Sequence, residues 1–312
     1  MNRKGLLIRG LISICLLAAL FFVVDFSSLV NTLKGTRLGF SLAVILLALC
    51  DRVFMAFKWN VLLRAIGVRI SFFESVRTYF ASSFASIFLG AGSEVMRLFI
   101  VGAEKGRRES VAASIVVERL VAFMALVLLF IIMSTCALFY LSFERIGVVV
   151  AVAVVVFVVS ACVFFISLYH VPVSALDRFT GKLGDVLRKF LVSYQMYRDK
   201  KAALALFFGL SFVENFFPIL CNYFVALALG LPVNPFAFFV VIPIVLIFAR
   251  LPISLEGLGV QEGLYLLLFP MAGLSMPDSM AIALLARILT ILALLPGGIM
   301  FIFHPGRRDL EK

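Results

Sequence analysis

Charged side chains are scarce in this chain of 312 residues: Asp, Glu, Lys and Arg together make up 14% of it, whereas 63% of its residues are hydrophobic. A soluble domain typically has about 25% charged and about 45–50% apolar residues. An apolar excess of this size is too large for one globular core, which excludes a soluble enzyme or a water-exposed binding module. The sequence therefore predicts an integral membrane protein.

Residues that build metal centres and disulfides are also few. The chain has two histidines, His170 and His304, so a histidine-built metal site is not expected and no cofactor is predicted. Its five cysteines lie singly in apolar runs without Cys-x-x-Cys spacing. We predict that they are small buried apolar side chains rather than disulfide partners. No Gly-x-x-x-x-Gly-Lys-Ser/Thr sequence is present, which excludes nucleotide hydrolysis by that motif.

The formal net charge of +11 would suggest a nucleic-acid partner if the protein were soluble. The Lys and Arg residues, however, collect in short loops beside apolar runs, and no basic domain with interleaved aromatic residues is present. This distribution is typical of the positive-inside rule and of attraction to anionic lipids of the inner leaflet. No nucleic-acid partner is predicted.

Six apolar runs are long enough to cross a bilayer, which takes roughly 20 helical residues. The first run is too long for the core of a typical signal peptide, and no small-residue cleavage site follows it, so an uncleaved span is expected. The predicted spans are Leu6–Val24, Leu38–Trp59, Val111–Leu141, Val148–Tyr169, Ala202–Leu229 and Ser279–Phe303.

Two further apolar regions, Phe72–Gly102 and Phe236–Phe269, are interrupted by Gly- and Pro-containing breaks. Basic residues flank the first region on both sides, so it is predicted to enter and leave at the cytoplasmic face. The second must start and end outside if the last span is to finish in the cytoplasm. Its arms, of about 14 residues each, would span roughly 20 Å and stop within the bilayer. The alternative is that each break is only a kink or a loop.

The predicted fold class is an all-α polytopic membrane protein, with about six full transmembrane helices plus two oppositely oriented re-entrant hairpins that resemble an inverted repeat. The whole chain, 1–312, is expected to form a single membrane-embedded domain in the cell membrane, with both termini in the cytoplasm. Residues from about 173 to 201 form a basic loop whose apolar residues recur at helical spacing. This segment is predicted to be an amphipathic helix on the inner leaflet or, alternatively, a helix packed beneath the bundle.

Eleven charged residues fall inside the predicted membrane region. Each costs about 2.5–3.5 kcal/mol at a helix centre unless it is paired or faces a wet cavity. Asp51 and Arg52 are expected to form a structural ion pair. The other nine are candidates for substrate binding and translocation: Glu94, Arg97, Glu118, Arg119, Glu214, Arg250, Glu256, Glu262 and Arg287.

Spacing gives first expectations for the partners of these charges. Glu94 and Arg97, three residues apart, can share a helix face. Glu118 and Arg119 are adjacent, so they point in different directions and should have different partners, while Glu214 requires a cation from another segment. Arginines are natural phosphate clamps, so the four arginines among the candidates are expected to contact a headgroup. The glutamates are expected to balance those charges or to carry protons.

Four motifs, taken in order, resemble those of a known membrane family. They are the basic-Trp-x-x-Leu-Leu…Gly segment Lys58–Val68, the Gly-rich acid-then-Arg motif Gly90–Arg97, the pair Glu118-Arg119, and the Pro-x-Ser…Gly-x-Gly-x-x-Glu motif Pro252–Glu262. The family is the lysylphosphatidylglycerol synthase transmembrane-region, or flippase-like, family. In the second motif the chain departs from the family pattern, which commonly opens with Pro-Gly and carries Gly-Gly-Asp.

The resemblance implies movement of a lipid between leaflets without ATP hydrolysis. The chain ends about ten residues after its last predicted span, so we expect no soluble aminoacyl-transferase domain and no synthesis of lysylphosphatidylglycerol. The expected substrate is an anionic lipid, either a phospholipid or a polyprenyl-phosphate-linked lipid. A membrane-embedded lipid-modifying transferase and a non-transporting scaffold subunit of a lipid synthase are the alternatives. Homo-oligomers and a lipid-synthesis enzyme as partner are both left open.

Overall fold

The structure, a computed structural model, describes residues 24–89, 92–102, 106–137, 146–176, 181–249 and 257–302, together with Leu20 and Ser254. These residues form helices, turns and short connections, with no strand among them. A π-helical turn, Leu98–Gly102, continues α4, and 3-10 turns follow α6, α7 and α11. The α-helices are α1 (Phe26–Lys34), α2 (Leu38–Ala65), α3 (Phe72–Leu89), α4 (Gly92–Arg97), α5 (Arg108–Ala137), α6 (Ile146–Tyr169), α7 (Gly181–Gln195), α8 (Lys201–Glu214), α9 (Phe216–Ala228), α10 (Pro235–Ala249), α11 (Val260–Leu268) and α12 (Met276–Ile302).

Five helical segments of the described chain are long and apolar enough to cross a membrane, as predicted for a polytopic protein. They are α2, α5, α6, the combined α8–α9 segment and α12. The first predicted span, Leu6–Val24, lies outside the described residues except for Leu20 and Val24. The all-α membrane fold is therefore confirmed for the part of the chain that the structure describes.

One predicted span is interrupted. The sequence indicated a continuous helix over Ala202–Leu229, but α8 ends at Glu214 and α9 begins at Phe216. Pro218 explains the interruption, because it has no N–H to donate to the carbonyl oxygen four residues earlier, that of Glu214. The break therefore lies next to the charged residue of this segment.

Both broken apolar regions have the helix–break–helix form that the sequence predicts, but their arms are unequal. In the first region, α3 has 18 residues and is about 27 Å long, whereas α4 and the π-turn together cover residues 92–102, about 16 Å. In the second region, α10 has 15 residues and α11 only nine, rather than 14 each. Helix α11, about 14 Å long, is thus too short to cross a bilayer core of about 30 Å, whereas α4 and its π-turn border residues outside the described ranges on both sides. The re-entrant course and the sides of entry remain predictions.

The chain contains two structural repeats, which we call the first repeat (α2–α5) and the second repeat (α8–α12). Helix α2 and the combined α8–α9 segment each have 28 residues. Six residues then follow in each repeat, 66–71 and 229–234, before a hairpin and a long final helix, α5 or α12. Equivalent helices also exchange partners between the repeats: α3 packs against α12, and its counterpart α10 packs against α5. This exchange is the packing expected of inverted repeats.

Glycines allow the close approach of α3 and α12. A Cβ atom at Gly297 would overlap the carbonyl oxygen of Phe80, and one at Gly298 would lie 2.9 Å from the ring of Phe84. Small residues at such crossings let two membrane helices pack backbone against backbone. The contact between the two repeats therefore depends on these glycines.

Gly297→Ala is expected to lower the free energy of unfolding by about 1–3 kcal/mol, because the overlap is with backbone that cannot rotate away. Gly209→Ala in α8 is the matched control, since a Cβ atom there would meet nothing within 4 Å. The control is expected to be neutral or stabilising by up to about 1 kcal/mol. Unfolding in mixed micelles, followed by Trp59 fluorescence, measures both. Equal stability of the two variants would contradict the close crossing.

Three cysteines lie on the outside of the bundle, contrary to the prediction that they are buried, and Cys15 lies outside the described residues. Cys50, Cys136 and Cys162 are exposed, and Cys221 is half-buried. The reason is that lipid is the solvent around apolar helices, so a small apolar side chain gains nothing by facing inward.

Helix α7 belongs to the basic segment that follows the fourth predicted span. It packs against α5 through Leu191 and Tyr194, and it leaves Val186 and Val192 exposed on other faces. The helix can therefore pack beneath the bundle and contact the inner leaflet at the same time. The two alternatives that the sequence left open do not exclude each other.

Candidate functional site

A buried ion pair joins the first hairpin to α5. Nη1 of Arg97 donates to Oε2 of Glu118 at 2.7 Å, and the hydroxyl of Tyr79 donates to the other oxygen at 2.6 Å. The guanidinium also lies 4.6 Å from the ring of Tyr79 and 5.1 Å from the ring of Trp59. With Arg97 only 3% exposed, its charge is enclosed by a carboxylate and two aromatic faces.

A second ion pair, Glu94 with Arg119, also joins the first hairpin to α5, but its side chains are partly exposed. Nη2 of Arg119 contacts Oε1 of Glu94, and these side chains are 47% and 27% exposed. The adjacent residues Glu118 and Arg119 thus have different partners, as predicted. Glu94 and Arg97, expected to be able to share a helix face, each bind α5 rather than each other, because that helix offers an opposite charge to both.

The second hairpin carries a comparable pair with α12. Nε of Arg287 donates to Oε1 of Glu262 at 2.5 Å, and Nη2 of Arg287 donates to Oε1 of Gln261 at 3.2 Å. The other oxygen of Glu262 accepts the N–H of Gly259 at 2.7 Å, where a φ of 83° requires glycine. Glu262 is buried, whereas the Arg287 side chain is 20% exposed.

The open pair of the first repeat and the pair of the second occupy equivalent positions. Glu94 is the third residue of α4, and Glu262 is the third residue of α11. Arg119 and Arg287 are each the twelfth residue of the long helix that follows. Each hairpin therefore returns into the bundle with a glutamate that holds an arginine 25 residues further along the chain.

A third cluster lies where α2 packs against α8. Nζ of Lys58 donates to Oε2 of Glu214 at 2.6 Å and to Oγ of Ser211 at 3.0 Å, and the ammonium lies 4.8 Å from the ring of Phe207. Glu214 thus finds its cation on another segment, as expected. The predicted span ended at Trp59, but α2 continues to Ala65, and Lys58 is almost completely buried within it.

These clusters do not merge into one. Among the described residues, no hydrogen bond or ion pair joins the first hairpin's pairs to the pair of the second. The residues at the two hairpin tips lie largely outside the described ranges, so a shared site between them stays a prediction. Arg250 and Glu256, two further candidates, lie outside the described residues.

The amino-acid sequence of the chain can be compared with those of known proteins. Residues 6–298 of the chain match the family described as the lysylphosphatidylglycerol synthase TM region. The chain belongs to this family. It is also similar to a curated UPF0104 membrane protein of Methanothermobacter thermautotrophicus, with 20% identity over 336 aligned residues that cover all of this chain and 98% of that protein.

The structure gives roles to the family-like segment Lys58–Val68. Lys58 binds Glu214, the indole N–H of Trp59 donates to Oγ of Ser114 at 3.1 Å, and Asn60 donates to the carbonyl oxygen of Ile70 at 3.1 Å. The segment therefore fastens α2 to α8, to α5 and to the start of the first hairpin. Sequence reasoning missed Lys58, Trp59 and Tyr79 as neighbours of the candidate charges. The position of Trp59 within the family-like motif was the one available signal.

Proposed function

We propose that this member of the family moves an anionic lipid, a phospholipid or a polyprenyl-phosphate-linked lipid, between the leaflets of the cell membrane without ATP hydrolysis. In this proposal both termini are cytoplasmic, and each hairpin serves one side of the membrane. The observation that carries it is the repeated pair, Glu94 with Arg119 and Glu262 with Arg287. Each pair holds a partly exposed arginine against the returning arm of a hairpin.

The chemistry follows from what the arginine prefers. A guanidinium binds a phosphate through paired N–H donors as well as it binds a carboxylate. An arriving headgroup can therefore replace Glu94 on Arg119, and on the other side Glu262 on Arg287. The glutamate keeps the arginine neutralised when no lipid is bound, which limits the cost of the charge in the membrane. The tails of the lipid stay in the bilayer.

The buried pair has a different part in this proposal. Arg97 is enclosed by Glu118, Tyr79 and Trp59, so it has no free donor face for a headgroup. Its function is to fix the returning arm of the first hairpin to α5. We assign headgroup contact to Arg119 and Arg287, and positioning to Arg97 and Glu118.

The experiment is a transport assay in liposomes with fluorescently labelled phosphatidylglycerol or polyprenyl phosphate. Wild-type protein is expected to move one of these lipids faster than empty vesicles do. Arg119→Gln and Arg287→Gln should each slow the movement at least about tenfold, since a lost charged hydrogen bond is worth roughly 1.5–3 kcal/mol. Arg64→Gln, at an exposed arginine near the end of α2, is the control and should transport normally.

Two outcomes would reject the proposal. Movement no faster than in empty vesicles for any lipid class would favour a scaffold subunit. A lipid whose mass has changed after incubation would favour a lipid-modifying transferase, because a flippase only relocates its substrate.

A further inference from the structure

One buried carboxylate oxygen in the middle of the bundle has no partner. Asp51 is 6% exposed, and its Oδ2 accepts a hydrogen bond of 2.6 Å from Nη2 of Arg52. Its Oδ1 is buried and accepts no hydrogen bond from any described residue. A structural ion pair is stable when both oxygens of the carboxylate are satisfied. Pairing with Arg52 alone therefore does not account for Asp51.

Asp51 has an acidic counterpart in the second repeat. It is the fourteenth residue of α2, and Glu214 is the fourteenth residue of the equivalent α8–α9 segment. Helix α2 packs against both α8 and α9, and this brings the two carboxyl groups close enough to interact electrostatically. The two acids thus lie at equivalent positions on packed helices at the junction between the repeats.

Two cations share this junction. Arg52 donates a hydrogen bond to Asp51. Lys58 lies two turns further along α2, and its Nζ donates to Oε2 of Glu214 at 2.6 Å. Lys58 also interacts electrostatically with Asp51. Two acids and two bases leave the cluster neutral while both acids are ionised. A bound proton would therefore change its net charge in the centre of the bundle.

The other helices packed against α2 add few ionisable groups. Helix α12 contributes Asp278, which is bonded to Thr32 and Ser275, and Arg287, which is bonded to Glu262. The remaining ionisable groups within electrostatic range of the cluster are Cys221 of α9, Tyr79 of α3 and Glu118 of α5. Among the described residues, none of these supplies a donor to the free oxygen of Asp51.

Two buried carboxylates at close range repel each other, and a proton on one of them removes the repulsion. The bare oxygen of Asp51 is the place where a proton can add without breaking an existing hydrogen bond. We propose that Asp51 and Glu214 form a proton-binding site at the junction of the two repeats, with the proton on Oδ1 of Asp51, and that this site couples lipid movement to a proton gradient. The coupling rests on the proposed function, whereas proton binding itself does not.

Proton binding can be observed directly by infrared difference spectroscopy of the full chain in lipid nanodiscs. As the pH is lowered from about 9 to about 5.5, which stays above the range where exposed carboxyl groups titrate, a band of a protonated carboxyl group should grow in the wild type. The band should be absent in Asp51→Asn and present in the control Asp185→Asn, which changes an exposed acid on α7. Labelling the wild type with carboxyl-¹³C aspartate should shift the band, which tests the assignment even if Asp51→Asn does not fold.

Two spectroscopic results would overturn the site. One is that no band depends on both the pH and the aspartate label. The other is a spectrum that responds to Na⁺ against K⁺ but not to pH, which would indicate a metal-cation site instead.

Coupling is measured with the labelled lipid in proteoliposomes that carry a pH gradient of about one unit. One proton moved per lipid should produce an asymmetry of the label of up to about tenfold between the leaflets. Asp51→Asn should still let the label equilibrate but should produce no asymmetry. Equilibration without asymmetry in the wild type would overturn the coupling and leave the transport proposal standing. If no lipid moves at all, the transport proposal fails, and the infrared result still decides the proton site.

Discussion

Glu118→Gln is expected to lower the free energy of unfolding by about 3–5 kcal/mol, the effect of leaving a buried charge without its counter-ion. The carboxylate of Glu118 accepts hydrogen bonds from Arg97 and Tyr79 at 2.7 and 2.6 Å. After the substitution, the guanidinium stays enclosed between the rings of Trp59 and Tyr79, where neither water nor another described carboxylate neutralises it. Unfolding by increasing the SDS fraction in mixed micelles measures the loss.

Two further variants make this result specific. Arg97→Met in the Glu118→Gln background removes the orphaned charge, so it should recover more than half of the loss. Glu94→Gln makes the same chemical change in the open pair with Arg119, and it should cost no more than about 1 kcal/mol. If Glu94→Gln destabilised the protein as much as Glu118→Gln, burial would not be what distinguishes the two pairs.

Lys58→Met is expected to have a similarly large effect, again about 3–5 kcal/mol, for the opposite reason. Here a cation is lost, and the buried carboxylate of Glu214 keeps only the distant charges of its neighbours. The proximity of Asp51 adds repulsion, because Lys58 screens the two acids from each other. Thermal unfolding in detergent and SDS titration should both record the change.

The control for Lys58→Met is Lys189→Met, which removes an exposed lysine from α7 and should change stability by less than about 0.5 kcal/mol. Glu214→Gln added to Lys58→Met should restore much of the stability by removing the unpaired negative charge. A double variant no more stable than Lys58→Met alone would show that Lys58 acts through packing against Phe207 and not through its charge.

The glutamate–arginine pair that occurs in both repeats is the part of the structure to which we assign headgroup contact. Arg119 and Arg287 lie at equivalent places in the two repeats, but their surroundings differ: Glu94 is partly exposed, whereas Glu262 is buried and held by the N–H of Gly259. One pair is therefore open and the other closed. Under the proposed transport function, this difference corresponds to access from one side of the membrane at a time.

The amino-acid sequence alone determined the membrane fold and the residues that needed explaining, although it did not reveal the break between α8 and α9. Hydropathy is a local property, so the spans over Leu38–Trp59, Val148–Tyr169 and Ser279–Phe303 could be located to within a few residues. Glycine and proline act on their own turn of backbone, so both hairpin breaks were also visible. The cost of a charge in lipid marked Glu94, Arg119, Glu262 and Arg287 before any partner was known.

Only the tertiary structure decided which charge binds which. Lys58 and Glu214 are 156 residues apart in the chain, and their contact depends on the rotation and register of α2 against α8. No local pattern encodes that register, because it is set by close packing of helix surfaces from distant parts of the chain. For the same reason Arg97 forms its ion pair with Glu118 on another helix and not with Glu94, which is only three residues away. The sequence thus determined that these charges need partners. Helix packing determined which residues those partners are, because a charge in lipid is stabilised by the opposite charge that the fold places next to it.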